Sequence, residues 1–190
     1  MNNVKAIAGD SVDAAVIRPA TEIEQVHAGG VFHILCYDKD GNLKWEEKGP
    51  NLVVNTGLQY MVSTSLDAAT QTTTWYLGII STLTTIAGAD TMATHTGWTE
   101  DTNYSQANRP TATFGTATTA NPSVLDNSAS VAVFSINGTT TINGAFLTSN
   151  NTKGGTTGTL FSAKAFTGGA RAVISGDTLN VTYTFSLTGT

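Results

Sequence analysis

Residues 178 to 187 alternate without interruption: Leu179, Val181, Tyr183, Phe185 and Leu187 share one parity, and Thr178, Asn180, Thr182, Thr184 and Ser186 the other. A period of two belongs to a strand with one face buried and the other in water. Such a strand needs neighbours to pair with and a second layer to cover its apolar face, so the C-terminal end must belong to a sheet packed on one side. A similar alternation occupies residues 31 to 38, where Phe32, Ile34 and Cys36 interleave with Val31, His33, Leu35 and Tyr37. A second run, residues 42 to 48, carries Leu43 and Trp45 among charges, and Asp40-Gly41 between the two supplies left-handed backbone geometry for a tight reversal. These runs form a hairpin.

Further apolar and β-branched runs fall at 75–80, 111–117, 128–136, 140–148, 158–166 and 171–174, separated by turn signals at Asn137-Gly138, Asn150-Asn151, Gly154-Gly155 and Gly168-Gly169. Many short strands between turns predict a mainly β chain, an antiparallel β-sandwich of jelly-roll-like type. One short helix is expected after Pro50, with Asn55-Thr56 as its cap and Leu58, Met61, Val62 and Leu66 as the apolar face. Asp90, Thr91, Met92 and Ala93 fit one more helical turn, followed by a loop over 97–110. Residues 1–28 differ from the rest: Val4, Ile7, Val16 and Ile17 are sparse among Gly, Asp and Ala, and Pro19 interrupts any continuous element. The domain organisation that follows is an extended N-terminal arm, 1–28, and a β-sandwich domain, 29–190. Val4, Ile7, Val16 and Ile17 are the candidate partner-binding residues of the arm, because short apolar side chains can fill grooves on adjacent subunits.

A chain of 190 residues can bury one substantial core. Only 12% of its residues are charged, which suits a surface largely covered by neighbouring subunits. The net charge of −5 and the scatter of nine basic residues argue against direct nucleic-acid binding, which needs clustered Lys and Arg. There is no apolar run of about 18 residues for a membrane-spanning helix, and residues 1–20 lack the basic start and continuous apolar core of a secretory signal. The single cysteine, Cys36, precludes an internal disulfide.

Four ordered segments carry a resemblance: 36–45 (CYDKDGNLKW) with 51–58 (NLVVNTGL); 89–100 (ADTMATHTGWTE) with Tyr104, Arg109 and Pro110; 144–149 (GAFLTS) running on through 151–158 (NTKGGTTG); and 176–179 (GDTL) with Tyr183 and Thr184. In these segments, which together cover most of residues 30–185, the chain resembles a group of tailed-bacteriophage virion structural proteins. The resemblance implies a non-enzymatic component on the capsid surface, made in the bacterial host cytoplasm. Its expected role is that of a capsid decoration or cement protein, bound to the major capsid protein and to neighbouring copies of itself as a dimer or trimer. The alternatives are a tail or head-fibre attachment component and a glycan-binding module.

Catalytic and metal readings fail on spacing. Gly9-Asp10-Ser11-Val12 and Gly176-Asp177-Thr178-Leu179 superficially match the nucleophile block of GDSL-type esterases, but the histidines are His27, His33 and His95, and none lies near the C-terminus to serve as base. His33 and Cys36, three apart on a strand, face opposite ways and cannot readily share an ion. Asp38, Asp40 and Asn42 imitate an EF-hand start, yet Leu43 and Gly49 stand where that loop needs Gly and Glu. No catalytic residue, cofactor or metal site is expected. For the glycan alternative the candidate aromatics are Trp75, Tyr76, Trp98 and Tyr104.

Overall fold

The computed structural model describes residues 25–190. In chain order its elements are β1 (Val26–Tyr37), β2 (Leu43–Pro50), β3 (Leu52–Val53), α1 (Asn55–Leu66), β4 (Trp75–Leu83), β5 (Trp98–Asp101), β6 (Thr111–Ala112) and β7 (Ser123–Asp126). These are followed by β8 (Ala132–Ser135), β9 (Thr140–Ile142), β10 (Gly144–Thr148), β11 (Leu160–Ala165), β12 (Arg171–Val173) and β13 (Thr178–Gly189). The fold is mainly β, and every strand pairing is antiparallel.

One sheet runs β2-β1-β13, with β7 and β8 both pairing with β13; a second runs β3-β11-β10-β4-β5, with β6 pairing with β4; β9 and β12 make a separate ribbon. The alternating residues of the sequence become the seam between the two sheets. Phe32, Ile34 and Cys36 of β1 and Leu179, Val181, Tyr183 and Phe185 of β13 are buried against Leu77, Ile79, Ala145, Leu147 and Phe161 of the second sheet, forming a sandwich. The second sheet is buried on its other face as well, where Ile80, Phe146, Leu160 and Ala163 pack with Val54, Met92 and Trp98. A strand buried on both sides has no polar face, which is why β10 reads as a continuous apolar run.

The expected hairpin is β1–β2. The Asp38 carboxylate accepts from the backbone N–H groups of Asp40 and Asn42 and from the Asn42 side chain, and Gly41 takes a φ of 83°. The Asn42 side chain is the main cause that holds the Asp38 carboxyl below the usual carboxylate range. His33 meets Glu46 at 2.7 Å on the outer face while Cys36 is fully buried, so the two do point apart. Burial, reinforced by the charge of Asp177, pushes the Cys36 thiol up to about 12, and it stays protonated at neutral pH.

Several boundaries differ from expectation. β1 begins at Val26, so residues 26–28 of the expected arm are paired with β13, whose length out to Gly189 supplies the partner for them. Of 111–117 only Thr111–Ala112 is strand, and the expected strand over 128–136 begins as a 3-10 turn (Ser128–Ser130). The run 140–148 splits at Asn143, because β9 leaves to pair with β12 while β10 pairs with β4 and β11. Residues 90–93 make turns rather than a helix, and Trp98–Asp101, placed in a loop by the sequence, is a strand at the sheet edge.

The two sheets are also joined by buried charge. Glu47 of β2 meets Lys164 of β11 at 3.2 Å with side chains 5% and 2% exposed, accepts from the Thr167 backbone N–H at 2.8 Å and lies 3.4 Å from Arg171. Burial works to raise the Glu47 pKa, but the Thr167 N–H together with Lys164 and Arg171 outweighs it and holds the carboxyl below its ordinary value. A depressed carboxylate pKa contributes stability that is present above the unfolded value of about 4.3 and is lost as pH falls through the folded one. Wild type should therefore be more stable than Glu47→Gln near neutrality, and the gap in urea midpoint should narrow as pH falls from about 6 to about 3. A gap independent of pH would mean that Glu47 acts through packing alone.

Candidate interaction surface

Local sequence places α1 against β11 through its small and hydroxyl side chains. Gly57 is buried, and a Cβ there would sit 2.2 Å from the backbone oxygen of Phe161, so helix and strand approach closely only because residue 57 has no side chain. Thr56 donates to the Leu160 carbonyl at 2.6 Å, and Tyr60 packs edge-on against Trp75, with ring centroids 5.0 Å apart. The expected cap is corrected too: Val54 occupies the N-cap without a side-chain bond, and Asn55 donates its backbone N–H to Gly88.

That seating turns the expected apolar face outward. Leu58 is 43%, Val62 60% and Leu66 85% exposed, and only Met61 of the four faces partly inward. The available sequence signal was a second face at Gly57, Tyr60 and Thr64, spaced i, i+3, i+7. Beside the helix, β1 and β13 run on with Val26, Ala28 and Leu187 on the face that is core elsewhere; Val26 is 73% exposed. Together they enclose a groove of about 440 Å³ whose lining, among the described residues, is uncharged. Single exposed apolar residues are ordinary, but a contiguous set of this kind marks a contact surface.

Gly57→Ala tests what holds this surface in place. The added methyl must push α1 off β11, with an expected cost of about 1–3 kcal/mol. The urea midpoint should fall accordingly, whereas Ser65→Ala on the exposed side should change little. An unchanged midpoint in Gly57→Ala would mean the helix is not seated through that contact.

A second recess, of about 330 Å³, opens between the sheets under residues 71–73 and is walled by Tyr60, Trp75, Phe114 and Phe161. Trp75 is the one glycan candidate that lines it. Tyr76 is half-buried elsewhere on β4. Trp98 is 2% exposed, donates from Nε1 to Asp90 at 2.9 Å and stacks on His95 at 3.8 Å, and Tyr104 is fully buried. Neither Trp98 nor Tyr104 presents a ring to solvent.

The four segments that carry the resemblance meet pairwise inside the domain. Lys44 of the first pairs with Asp177 of the last, whose carboxylate also accepts from the Ile174 N–H and so closes the turn into β13. Arg109 of the second donates to the carbonyl of Gly155 in the third and of Asn150 beside it, Glu100 accepts from the Gly154 N–H, and Lys153 donates to the carbonyls of Tyr104 and Gln106. Glu100, Arg109 and Lys153 join loops and strands, whereas Lys44 and Asp177 also wall a shallow recess of about 230 Å³ with Asp38, Lys39 and Asp40. Among the described residues no group of three or more His, Cys, Asp or Glu is placed to hold a metal ion, and no helix is long and apolar enough to cross a membrane. Asp10 and Ser11, and the arm residues Val4, Ile7, Val16 and Ile17, lie outside the described residues. No protein-family model, curated protein or solved structure matches the chain.

Proposed function

We propose that this chain is a non-enzymatic structural protein of tailed-phage virions that decorates the capsid, binding the major capsid protein and neighbouring copies of itself. The observation that carries the reading is the uncharged groove between α1 and the overhanging ends of β1 and β13, set at the point where the N-terminal segment joins the domain. An apolar surface of this kind gains by being covered, and a subunit seated on a shell covers it while adding contacts that strengthen the assembly. The four-segment resemblance and the low charge support the same reading. A symmetric homo-oligomer fits, because capsid junctions are themselves symmetric.

Counting copies per particle by quantitative mass spectrometry of purified virions tests it. The expected result is an abundance comparable with that of the major capsid protein. Abundance comparable with portal or tail proteins would move the chain to the tail or head-fibre reading, and absence from the particle would overturn both.

A further inference from the structure

The groove beside α1 is the open end of the sandwich. Phe185 on β13 is covered by Phe161 of the second sheet, with ring centroids 5.2 Å apart, but Leu187 on the same face is 38% exposed. Ala28 and Val26 are paired in register with Leu187 and Gly189, so the inner face of both strands continues past its cover. Opposite this overhang stand Leu58, Met61 and Val62. What fills the gap must therefore be apolar and neutral.

The N-terminal part of the chain contains a segment of that chemistry. Ala14, Ala15, Val16 and Ile17 form an uncharged run between Asp13 and Arg18, and the described domain begins at the rim of the groove with Gln25. Gln25 exchanges both backbone hydrogen bonds with Thr190, at 3.0 and 2.9 Å, which keeps β1 on its line and directs its backbone out of the domain along the strand axis. We propose that the groove receives Ala14, Ala15, Val16 and Ile17 of a second copy, two chains exchanging N-terminal segments. At about 3.3–3.6 Å per residue, the stretch from residue 17 to residue 25 reaches on the order of 27 Å, enough to cross to a neighbour. Seating in the chain's own groove requires a reversal within that stretch. Exchange about a twofold axis requires none, and it fills both grooves at once. Asp13 and Arg18 stay at the ends of the seated run, in water.

The proposal rests on the reading of the chain as a self-associating virion component, but its test uses purified full-length protein and fails independently of the virion count. Ile17→Cys protein is mixed with Val62→Cys protein under mild oxidation. Cys36 is fully buried and does not compete. The expected result is a disulfide-linked two-chain species from the mixture, at least tenfold more abundant than from Ile17→Cys mixed with Asp40→Cys, which places the thiol at the far end of β1. Equal yields from the two mixtures would overturn the proposal. So would a cross-link found only within a single chain carrying both Ile17→Cys and Val62→Cys, which would assign the groove to the chain's own segment.

Discussion

Glu100→Ala should destabilise the domain by about 3–5 kcal/mol, because it strands a buried guanidinium. The Arg109 side chain is 0% exposed, and Glu100 takes two of its hydrogen bonds, from Nε at 2.9 Å and Nη2 at 2.6 Å. The other bonds go to the carbonyls of Asn150 and Gly155, and the Phe146 ring lies 5.3 Å from the guanidinium carbon. Without the carboxylate the positive charge keeps only neutral partners, and the Gly154 N–H that donated to Glu100 loses its acceptor. Replacing both members, Glu100→Leu with Arg109→Met, removes the stranded charge and should cost less than Glu100→Ala alone. Urea unfolding of the three proteins decides this. A loss below about 1 kcal/mol in Glu100→Ala would show that water reaches Arg109 readily.

Phe185→Ala should cost a similar amount, about 3–5 kcal/mol, while Leu187→Ala, one step further along the same face, should cost below about 1 kcal/mol. Phe185 is 9% exposed, packs against Phe161 and sits opposite Leu125 of β7, so its removal leaves a cavity that two sheets cannot close. Leu187 faces the open groove. Thermal unfolding of the two variants measures where the second sheet stops covering β13. With the chains kept apart by dilution, equal losses would mean that the groove is filled from within a single chain.

The contrast between these two residues shows how far sequence patterning reaches. The period of two along residues 178–187 is a property of the strand itself, and it marked Leu179, Val181, Tyr183 and Phe185 as inward. The same period marked Leu187, whose exposure depends on the length of a different sheet. The helix behaves likewise. Its position after Pro50 was legible from local composition, but the face it buries was set by the close approach at Gly57, where a side chain would collide with the Phe161 backbone of β11.

By itself, then, the amino-acid order determined what short stretches of backbone can satisfy: the β1–β2 hairpin with its Asp38 and Gly41 turn, the turn into β13 at Gly176 and Asp177, and the mainly β, antiparallel character of the domain. Tertiary structure alone decided which strands are buried on both faces, that β9 leaves β10 to join β12, that Glu100 and Glu47 hold buried cations, and that Leu58, Val62 and Leu66 meet Val26 and Leu187 at a surface groove. The division has one physical cause. Periodicity and turn chemistry act between residues a few positions apart, whereas burial and charge pairing depend on whatever the rest of the chain places on the other side.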